Sequence, residues 1–181
     1  MNRICVFCGA NPGNDPAFAA AARELGRTLV EQGLELVFGG SNVGLMREIA
    51  DTVLAAGGTA VGVIPGFLVD REKAHQGLSE LHVVDTMHER KALMVQLADG
   101  FVALPGGLGT LDETMEILSW AQLGLHDKPC GLFNVNGYFD LLIEFLDHAV
   151  AHGFIRAEHR RILVAESSPG ELLVGLGVRS G

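Results

Sequence analysis

The sequence predicts an α/β protein: a single-domain, Rossmann-like, doubly wound parallel sheet that is flanked by helices. Three observations support this fold class. Short apolar runs alternate with segments of helical periodicity, which is the order of elements in doubly wound sheets. The apolar runs are continuous Val, Ile, Leu and Phe stretches, as expected for parallel strands buried on both faces. Glycine-rich turns follow three of the runs, at the strand ends where such sheets bind ligands.

Each expected strand is a short apolar run that stops at a glycine, a proline or a polar residue. In chain order the expected strands are Ile4–Cys8, Leu34–Phe38, Ala60–Ile64, His82–Val84, Phe101–Leu104, Cys130–Val135 and Ile162–Ala165. Between them, helical patterning predicts helices. In chain order these are Ala17–Gln32, Leu45–Ala56, Met87–Ala98, Leu111–Gly124, Tyr138–Ala151 and Pro169–Leu176. No linker, repeat or low-complexity segment interrupts this alternation, so residues 1–178 are expected to form one domain and residues 179–181 a frayed tail.

Composition excludes several classes of function. The net charge of −9 argues against binding to nucleic acids or anionic membranes, although a local pocket can still hold a small phosphorylated ligand. No run reaches the ~18 apolar residues of a membrane span, and no signal-peptide pattern is present. Cys5, Cys8 and Cys130 are expected to be buried thiols in the cytoplasm. The histidines lack metal-ligand spacing, so no metal site is expected.

The strongest local signal is the segment PGGLGTLDE at residues 105–113. In it a strand ends, glycines free the backbone, and a helix begins with Thr110 as its expected N-cap. Exposed amides, the positive end of the helix dipole and a hydroxyl are typical of a phosphate cradle. The segment matches neither the Walker loop nor the dinucleotide fingerprint. From the residues alone, a tight strand-to-helix turn without a ligand remains the alternative.

Glu113 within this segment has two interpretations. The spacing Thr110-x-x-Glu113 is that of a capping box, in which the carboxylate binds the amide of the threonine. Glu116 and Ser119 follow at three-residue steps and therefore share a helix face with Glu113. Beside an anion cradle these side chains could hold sugar hydroxyls, whereas on an ordinary surface they would form a solvated stripe.

A second signal is the segment MHERK at residues 87–91, at the start of a helix that Asp85 or Thr86 can cap. Helical spacing places Arg90 in line with apolar residues, and a buried guanidinium needs a partner. Arg90 can form a structural ion pair, extend its charged end to the surface, or face a carboxylate or phosphate in a site. Lys91 would add a second positive charge there.

Together these two segments resemble the paired signature of the Lonely Guy phosphoribohydrolases. Further agreement lies at Cys8-Gly9, Gly44-Leu45-Met46, residues 120–124, Lys128-Pro129 and residues 137–140, so the resemblance covers about residues 3–155. The family implies a homodimeric enzyme that needs no metal or organic cofactor. It also implies hydrolysis of the N-glycosidic bond of N6-modified adenine nucleoside 5′-monophosphates, which releases the free base, a cytokinin, and ribose 5-phosphate.

By this resemblance, Arg90 and Glu113 correspond to the catalytic pair, and Gly107, Gly109 and Thr110 to the phosphate cradle. The predicted substrate-binding set is Glu72, Met87, Lys91, Gly106, Gly107, Leu108, Gly109, Thr110, Leu111, Asp112, Glu116 and Ser119. We expect the Glu113 carboxylate to stabilise positive charge on the ribose, and Arg90 to keep it ionised. Two other functions remain open: a general AMP or purine-nucleotide nucleosidase, and a non-catalytic carrier of the molybdenum-cofactor type.

The sequence also departs from the family pattern near the second glycine turn. Ser41 and Arg47 stand where glycines are common, and the long cation of Arg47 could reshape the rim of the site. Trp120 and Tyr138 are expected to be packing residues rather than ligand contacts.

Overall fold

The computed structural model describes residues 1–69 and 73–178 of the chain. Within them lies one sheet of seven parallel strands in the order β4-β3-β2-β1-β5-β6-β7. The strands are β1 Arg3–Phe7, β2 Glu35–Phe38, β3 Ala60–Pro65, β4 Glu80–Val84, β5 Gly100–Ala103, β6 Cys130–Phe133 and β7 Leu163–Glu166. The predicted fold class and each predicted strand are therefore confirmed, with bounds that shift by one or two residues. The predicted tail at residues 179–181 lies outside the described residues.

Helices connect the strands on both faces of the sheet. They are α1 Pro16–Glu31, α2 Gly44–Ala55, α3 Gly66–Val69, α4 Met87–Leu97, α5 Leu108–Gln122, α6 Asp140–Ala151, α7 Ala157–Arg160 and α8 Pro169–Gly175, and a 3₁₀ turn spans Val135–Gly137. The predicted helices are all present. The four-residue helices α3 and α7 were not predicted, because one turn is too short to show a helical period. In the described ranges, no helix combines the length and the apolar character that a membrane span requires.

The sheet separates two apolar clusters. Ile4 and Val6 of β1 face a cluster shared with α1, α2 and α8, whereas Cys5 and Phe7 face a cluster shared with α4, α5 and α6. This alternation follows from the two-residue period of a strand, and it explains why β1 is apolar throughout. Cys5, Cys8 and Cys130 are free and buried, as predicted.

The two helices that follow the predicted signals begin differently. Thr86 caps α4: its hydroxyl accepts a hydrogen bond from the Glu89 amide at 3.1 Å, and the Glu89 carboxylate accepts one from the Thr86 amide at 3.3 Å. Helix α5 begins at Leu108, with Gly107 as its N-cap and no capping side chain. The prediction that Thr110 is the N-cap and that the helix starts at Leu111 is therefore wrong.

The strand order creates a crevice at the carboxyl ends of β1 and β5. Strand β1 pairs with β2 on one side and with β5 on the other, so the connections after β1 and β5 leave toward opposite faces of the sheet. The two turns are tied together where the Gly9 amide donates to the Pro105 carbonyl at 3.1 Å. A side chain at Gly106 would overlap Thr110, so only glycine fits at this point of close approach.

Candidate active site

A cavity of about 500 Å³ lies in this crevice. Its walls come from the ends of β1 and β2, from the turn between β5 and α5, and from the first turns of α2, α4 and α5. The lining includes Cys8, Gly9, Asn11, Pro12, Phe18, Gly39, Met46, Leu68, Met87, Arg90, Gly106, Gly107, Gly109, Thr110, Asp112, Glu113 and Tyr138. It lies where ligands of doubly wound sheets bind.

Arg90 is anchored to two backbone carbonyls, one within β3 and one directly after β2. Its side chain is buried, Nε donates to the Val63 carbonyl at 3.1 Å, and Nη2 donates to the Gly39 carbonyl at 3.4 Å. A Cβ atom at Gly39 would overlap Nη2 of Arg90. The glycine after β2 therefore makes room for the guanidinium, which in turn reaches the cavity.

Glu113 lies in the second turn of α5, where it meets Arg90. Its Oε1 atom is 3.5 Å from Nη1 of Arg90, and the Glu113 residue is 8% exposed. Burial raises the pKa of Glu113 to about 6, since the opposing effect of Arg90 only partly offsets desolvation, and Asp112 raises this pKa further. The capping-box interpretation is wrong, because Glu113 lies inside the helix and its carboxylate turns toward Arg90. The structure thus brings together the two residues that the sequence predicted as a catalytic pair.

The start of α5 has the geometry of an anion site. The amides of Leu108, Gly109 and Thr110 lie in its first turn and therefore have no intrahelical acceptor. Among the described residues, no side chain caps them. A Cβ atom at Gly107 or Gly109 would meet no atom within 4 Å, so the backbone there faces open space. Free amides at the positive end of a helix favour a negatively charged ligand.

Lys91 forms a separate cluster beside this site. Its Nζ atom lies 3.1 Å from Oδ2 of Asp112 and 2.9 Å from Oε2 of Glu116. Burial disfavours the ammonium, but hydrogen bonds with Glu116 and Asp112 outweigh it and raise the pKa of Lys91. Lys91 and Glu116 do not line the cavity, so their predicted substrate contacts remain predictions.

The other predicted residues divide into two groups. Those that line the cavity with the catalytic pair are Met87, Gly106, Gly107, Gly109, Thr110 and Asp112. The cavity lining does not include the other three: the side chain of Leu108 is 87% exposed, Leu111 packs on the apolar cluster below α5, and Ser119 is exposed. Leu108 belongs to the first turn of α5 through its backbone amide. Glu72 lies outside the described residues.

The structure adds wall residues that sequence reasoning did not assign to the site. Phe18 of α1, Leu68 of α3 and Tyr138 all line the cavity. Tyr138 packs edge-on against Phe18, as a packing residue would, but it also faces the cavity. No local pattern distinguishes Phe18 or Leu68 from ordinary apolar residues, whereas the GYFD segment around Tyr138 was a usable signal. Nη2 of Arg47 lies 3.5 Å from Oε1 of Glu48, and Arg47 does not line the cavity.

Fold and site together define a Rossmann-like α/β protein in which a helix start without a side-chain cap and a buried carboxylate–guanidinium pair share one cavity. A family model described as "possible lysine decarboxylase" matches residues 46–176. The probable cytokinin riboside 5′-monophosphate phosphoribohydrolase LOGL1 of Oryza sativa subsp. japonica is 51% identical, over 96% of this chain and 78% of its own length. The cytokinin riboside 5′-monophosphate phosphoribohydrolase LOG1 of Arabidopsis thaliana is 48% identical, over 96% of this chain and 81% of its own length. The chain belongs to this phosphoribohydrolase family, as the sequence predicted.

Among solved structures, the molybdenum cofactor binding protein of Rippkaea orientalis superimposes with a TM-score of 0.71. The match covers 96% of this chain and 94% of that chain at 24% identity. The Moco carrier protein of Chlamydomonas reinhardtii gives a TM-score of 0.72 at 20% identity, over 98% of this chain and 96% of that chain. At these identities the likeness shows a shared fold and no shared function.

Proposed function

We propose that this protein hydrolyses the N-glycosidic bond of N6-modified adenine nucleoside 5′-monophosphates and releases the cytokinin base and ribose 5-phosphate. The observation that carries the proposal is the Arg90–Glu113 pair, which opens into the same cavity as the uncapped start of α5. Relatives of about 50% identity that carry the name of this activity support it independently.

Glycoside cleavage develops positive charge on the ribose ring, so a carboxylate near the anomeric carbon lowers the barrier. Glu113 supplies this carboxylate and orients or deprotonates the attacking water. Its pKa of about 6 keeps it ionised at neutral pH while leaving it a stronger base than an exposed glutamate. Arg90, held by the Gly39 and Val63 carbonyls, supports the ionised form of Glu113 and fixes its direction.

The start of α5 holds the 5′-phosphate. Glu113 follows Leu108 by five residues, which is ~7.5 Å along a helix. A ribose ring with its phosphate can bridge that distance, so phosphate binding at Gly107–Thr110 brings the anomeric carbon to Glu113. Such anchoring holds the anomeric carbon next to the carboxylate, so the two groups need not meet by diffusion before they react. The apolar side chains of Met46, Leu68 and Met87 on the remaining wall suit the base and its N6 substituent.

The name of the family model prompts a test of lysine-dependent chemistry. A pyridoxal-phosphate decarboxylase needs a lysine in its site to form a Schiff base. The chain has three lysines, and the structure describes all of them. Lys91 is paired with Asp112 and Glu116, Lys128 donates to the Val95 and Ala98 carbonyls at 2.6 Å, and Lys73 is exposed. None of them lines the cavity, so the residues present do not fit that cofactor.

The test is incubation with isopentenyladenine riboside 5′-monophosphate, AMP and adenosine, followed by chromatography of the free base and assay of ribose 5-phosphate. We expect release of base from the modified nucleotide, less from AMP, and very little from adenosine, because adenosine lacks the anchoring phosphate. Equal turnover of adenosine and AMP would refute the phosphate anchor. No base release from any of the three would refute the proposed activity and would favour a carrier.

We also propose that two copies associate as a homodimer in the cytoplasm. Large apolar side chains are exposed along α6 and beyond the carboxyl ends of α5 and α6, and a partner would cover them. They are Leu123, Leu125, Leu141, Phe145 and Phe154. The three free cysteines are compatible with a reducing compartment. Light scattering after size exclusion measures the mass: about 38 kDa, twice the 19.2 kDa chain, is expected, and a monomer at micromolar concentration would contradict the dimer.

A further inference from the structure

Tyr138 touches the phosphate turn from a distant part of the chain. Its hydroxyl donates to the Gly106 carbonyl at 2.6 Å, across 32 residues of sequence. Its ring meets Phe18 edge-on at 5.6 Å and Phe139 edge-on at 5.0 Å, so it is held from two sides. The residue is 45% exposed and lines the cavity. The hydroxyl is therefore a fixed donor at the mouth of the candidate site.

The turn before Tyr138 is built to hold this position. Asn136 and Gly137 have φ angles of 51° and 72°, a left-handed conformation that reverses the chain directly before the tyrosine. The Asn134 side chain accepts a hydrogen bond from the Phe139 amide at 2.8 Å and donates to Asp140 at 2.7 Å. These bonds close the turn around Tyr138, which limits the positions that its hydroxyl can reach.

The Gly106 carbonyl, which accepts this hydrogen bond, belongs to the peptide between Gly106 and Gly107. This peptide lies between two glycines, Gly106 and Gly107, so no Cβ atom on either side restrains its rotation. This peptide is trans, so its N–H and C=O point in opposite directions. A rotation that turned the Gly106 oxygen toward the start of α5 would place a negative dipole end against a bound phosphate. A donor on this oxygen opposes such a rotation.

We propose that Tyr138 is a positioning residue for the anion cradle, because its hydroxyl holds the Gly106–Gly107 peptide with the carbonyl turned away from the phosphate. The inference rests on the proposed function only in taking the start of α5 as the phosphate site. Tyr138 acts through the backbone, so it governs how tightly the phosphate is held. The reacting carboxylate of Glu113 is left unchanged.

The experiment compares the wild type with Tyr138→Phe, which keeps the ring and its contacts and removes only the hydroxyl. Calorimetric titration with inorganic phosphate and with ribose 5-phosphate is expected to show binding about fivefold weaker, the effect of one lost hydrogen bond. Binding of free adenine, which has no phosphate, is expected to be unchanged. With the nucleotide substrate, KM rises by a similar factor and kcat stays within about twofold.

The outcomes separate this inference from the proposed reaction. Unchanged phosphate binding in Tyr138→Phe, or equal weakening for phosphate and adenine, would overturn the positioning role. Weaker phosphate binding in a protein that releases no base would support the role of Tyr138 and refute the proposed activity. Phe18→Leu is the control, because it disturbs the packing of the Tyr138 ring without removing the hydroxyl. If Phe18→Leu weakens phosphate binding as much as Tyr138→Phe does, the ring packing and not the hydrogen bond is responsible.

Discussion

Two neighbouring cations of α4 meet carboxylates of α5 in different surroundings. Arg90 is held by the backbone carbonyls of Gly39 and Val63 and meets Glu113 at the cavity wall. Lys91 lies between Asp112 and Glu116, of which only Asp112 reaches the cavity lining. Consecutive helical residues diverge by about 100°, so adjacent cations on one helix face different neighbours.

The two pairs show how a structural charge pair differs from the candidate reactive site. In the Lys91 cluster, hydrogen bonds with the carboxylates outweigh burial and raise the pKa of the lysine. In the Arg90 pair, burial outweighs the guanidinium and raises the pKa of Glu113 to about 6. A cation beside a carboxylate is thus not enough to define a site. The distinguishing features are burial against a cavity and a carboxylate whose pKa lies near neutrality.

The largest expected effect distinguishes the two carboxylates. Glu113→Gln should lower kcat/KM for the nucleotide by about a hundredfold or more, because it removes the group that stabilises charge on the ribose. Glu116→Gln is the matched control on the same helix, and it should change kcat/KM by less than about fivefold. Steady-state release of base measures both. Comparable losses in the two variants would show that the Lys91 cluster belongs to the reactive site.

A smaller effect is expected from the glycine that makes room for Arg90. Gly39→Ala should lower kcat by roughly tenfold or more, since the added methyl group overlaps the guanidinium and displaces it from Glu113. Gly170→Ala in α8, where a Cβ meets nothing within 4 Å, is the control and should keep full activity. Full activity in Gly39→Ala would mean that the position of Arg90 is unimportant.

The pH dependence of kcat/KM gives a further test of the difference between Glu113 and the carboxylates of the Lys91 cluster. If Glu113 must be ionised, kcat/KM should fall about tenfold per pH unit below a pKa of about 6. Among residues 1–69 and 73–178, the charged groups that act on Glu113 are Arg90, Lys91, Asp112 and Glu116. Burial raises the pKa of the nearby Cys5 and Cys8 thiols, so they stay neutral across this range. Kinetics from pH 4.5 to 8 on the wild type provide the measurement. If kcat/KM instead fell with a midpoint near pH 4.5, the ordinary pKa of glutamate, the assignment to Glu113 would be contradicted.

The last expected effect of this carboxylate is on stability and not on turnover. The folded-state pKa of Glu113 is raised above 4.5, so the folded protein takes up this proton at higher pH than the unfolded chain, and stability is lost as pH rises through about 6. Glutamine cannot ionise. Glu113→Gln should therefore exceed the wild type in unfolding free energy by about 2 kcal/mol at pH 7.5, and by nothing at pH 4. Urea unfolding at both pH values measures the difference, and a variant less stable at pH 7.5 would show that the ion pair with Arg90 dominates.

Much of the architecture was predictable from local patterns. Continuous apolar runs such as those around Val6 and Val102 predicted parallel strands, and the prediction is confirmed. The start of α5 was misplaced by three residues because Thr110 and Glu113 match a capping box in spacing. That pattern is the same whether the glutamate turns back to the helix start or out to a distant arginine, and packing against α4 decides between the two.

The sequence by itself determined the parallel sheet, the edge where its strand ends meet, and the glycine turn and the MHERK segment that supply the candidate residues. These features depend on short-range periodicity and on backbone sterics, which each segment carries within itself. Only the tertiary structure decided that Lys91 pairs with Asp112 and Glu116 outside the cavity lining, and that Phe18, Leu68 and Tyr138 complete the cavity wall. Those contacts join residues far apart in the chain, so their free energies depend on how whole elements pack and not on any local pattern.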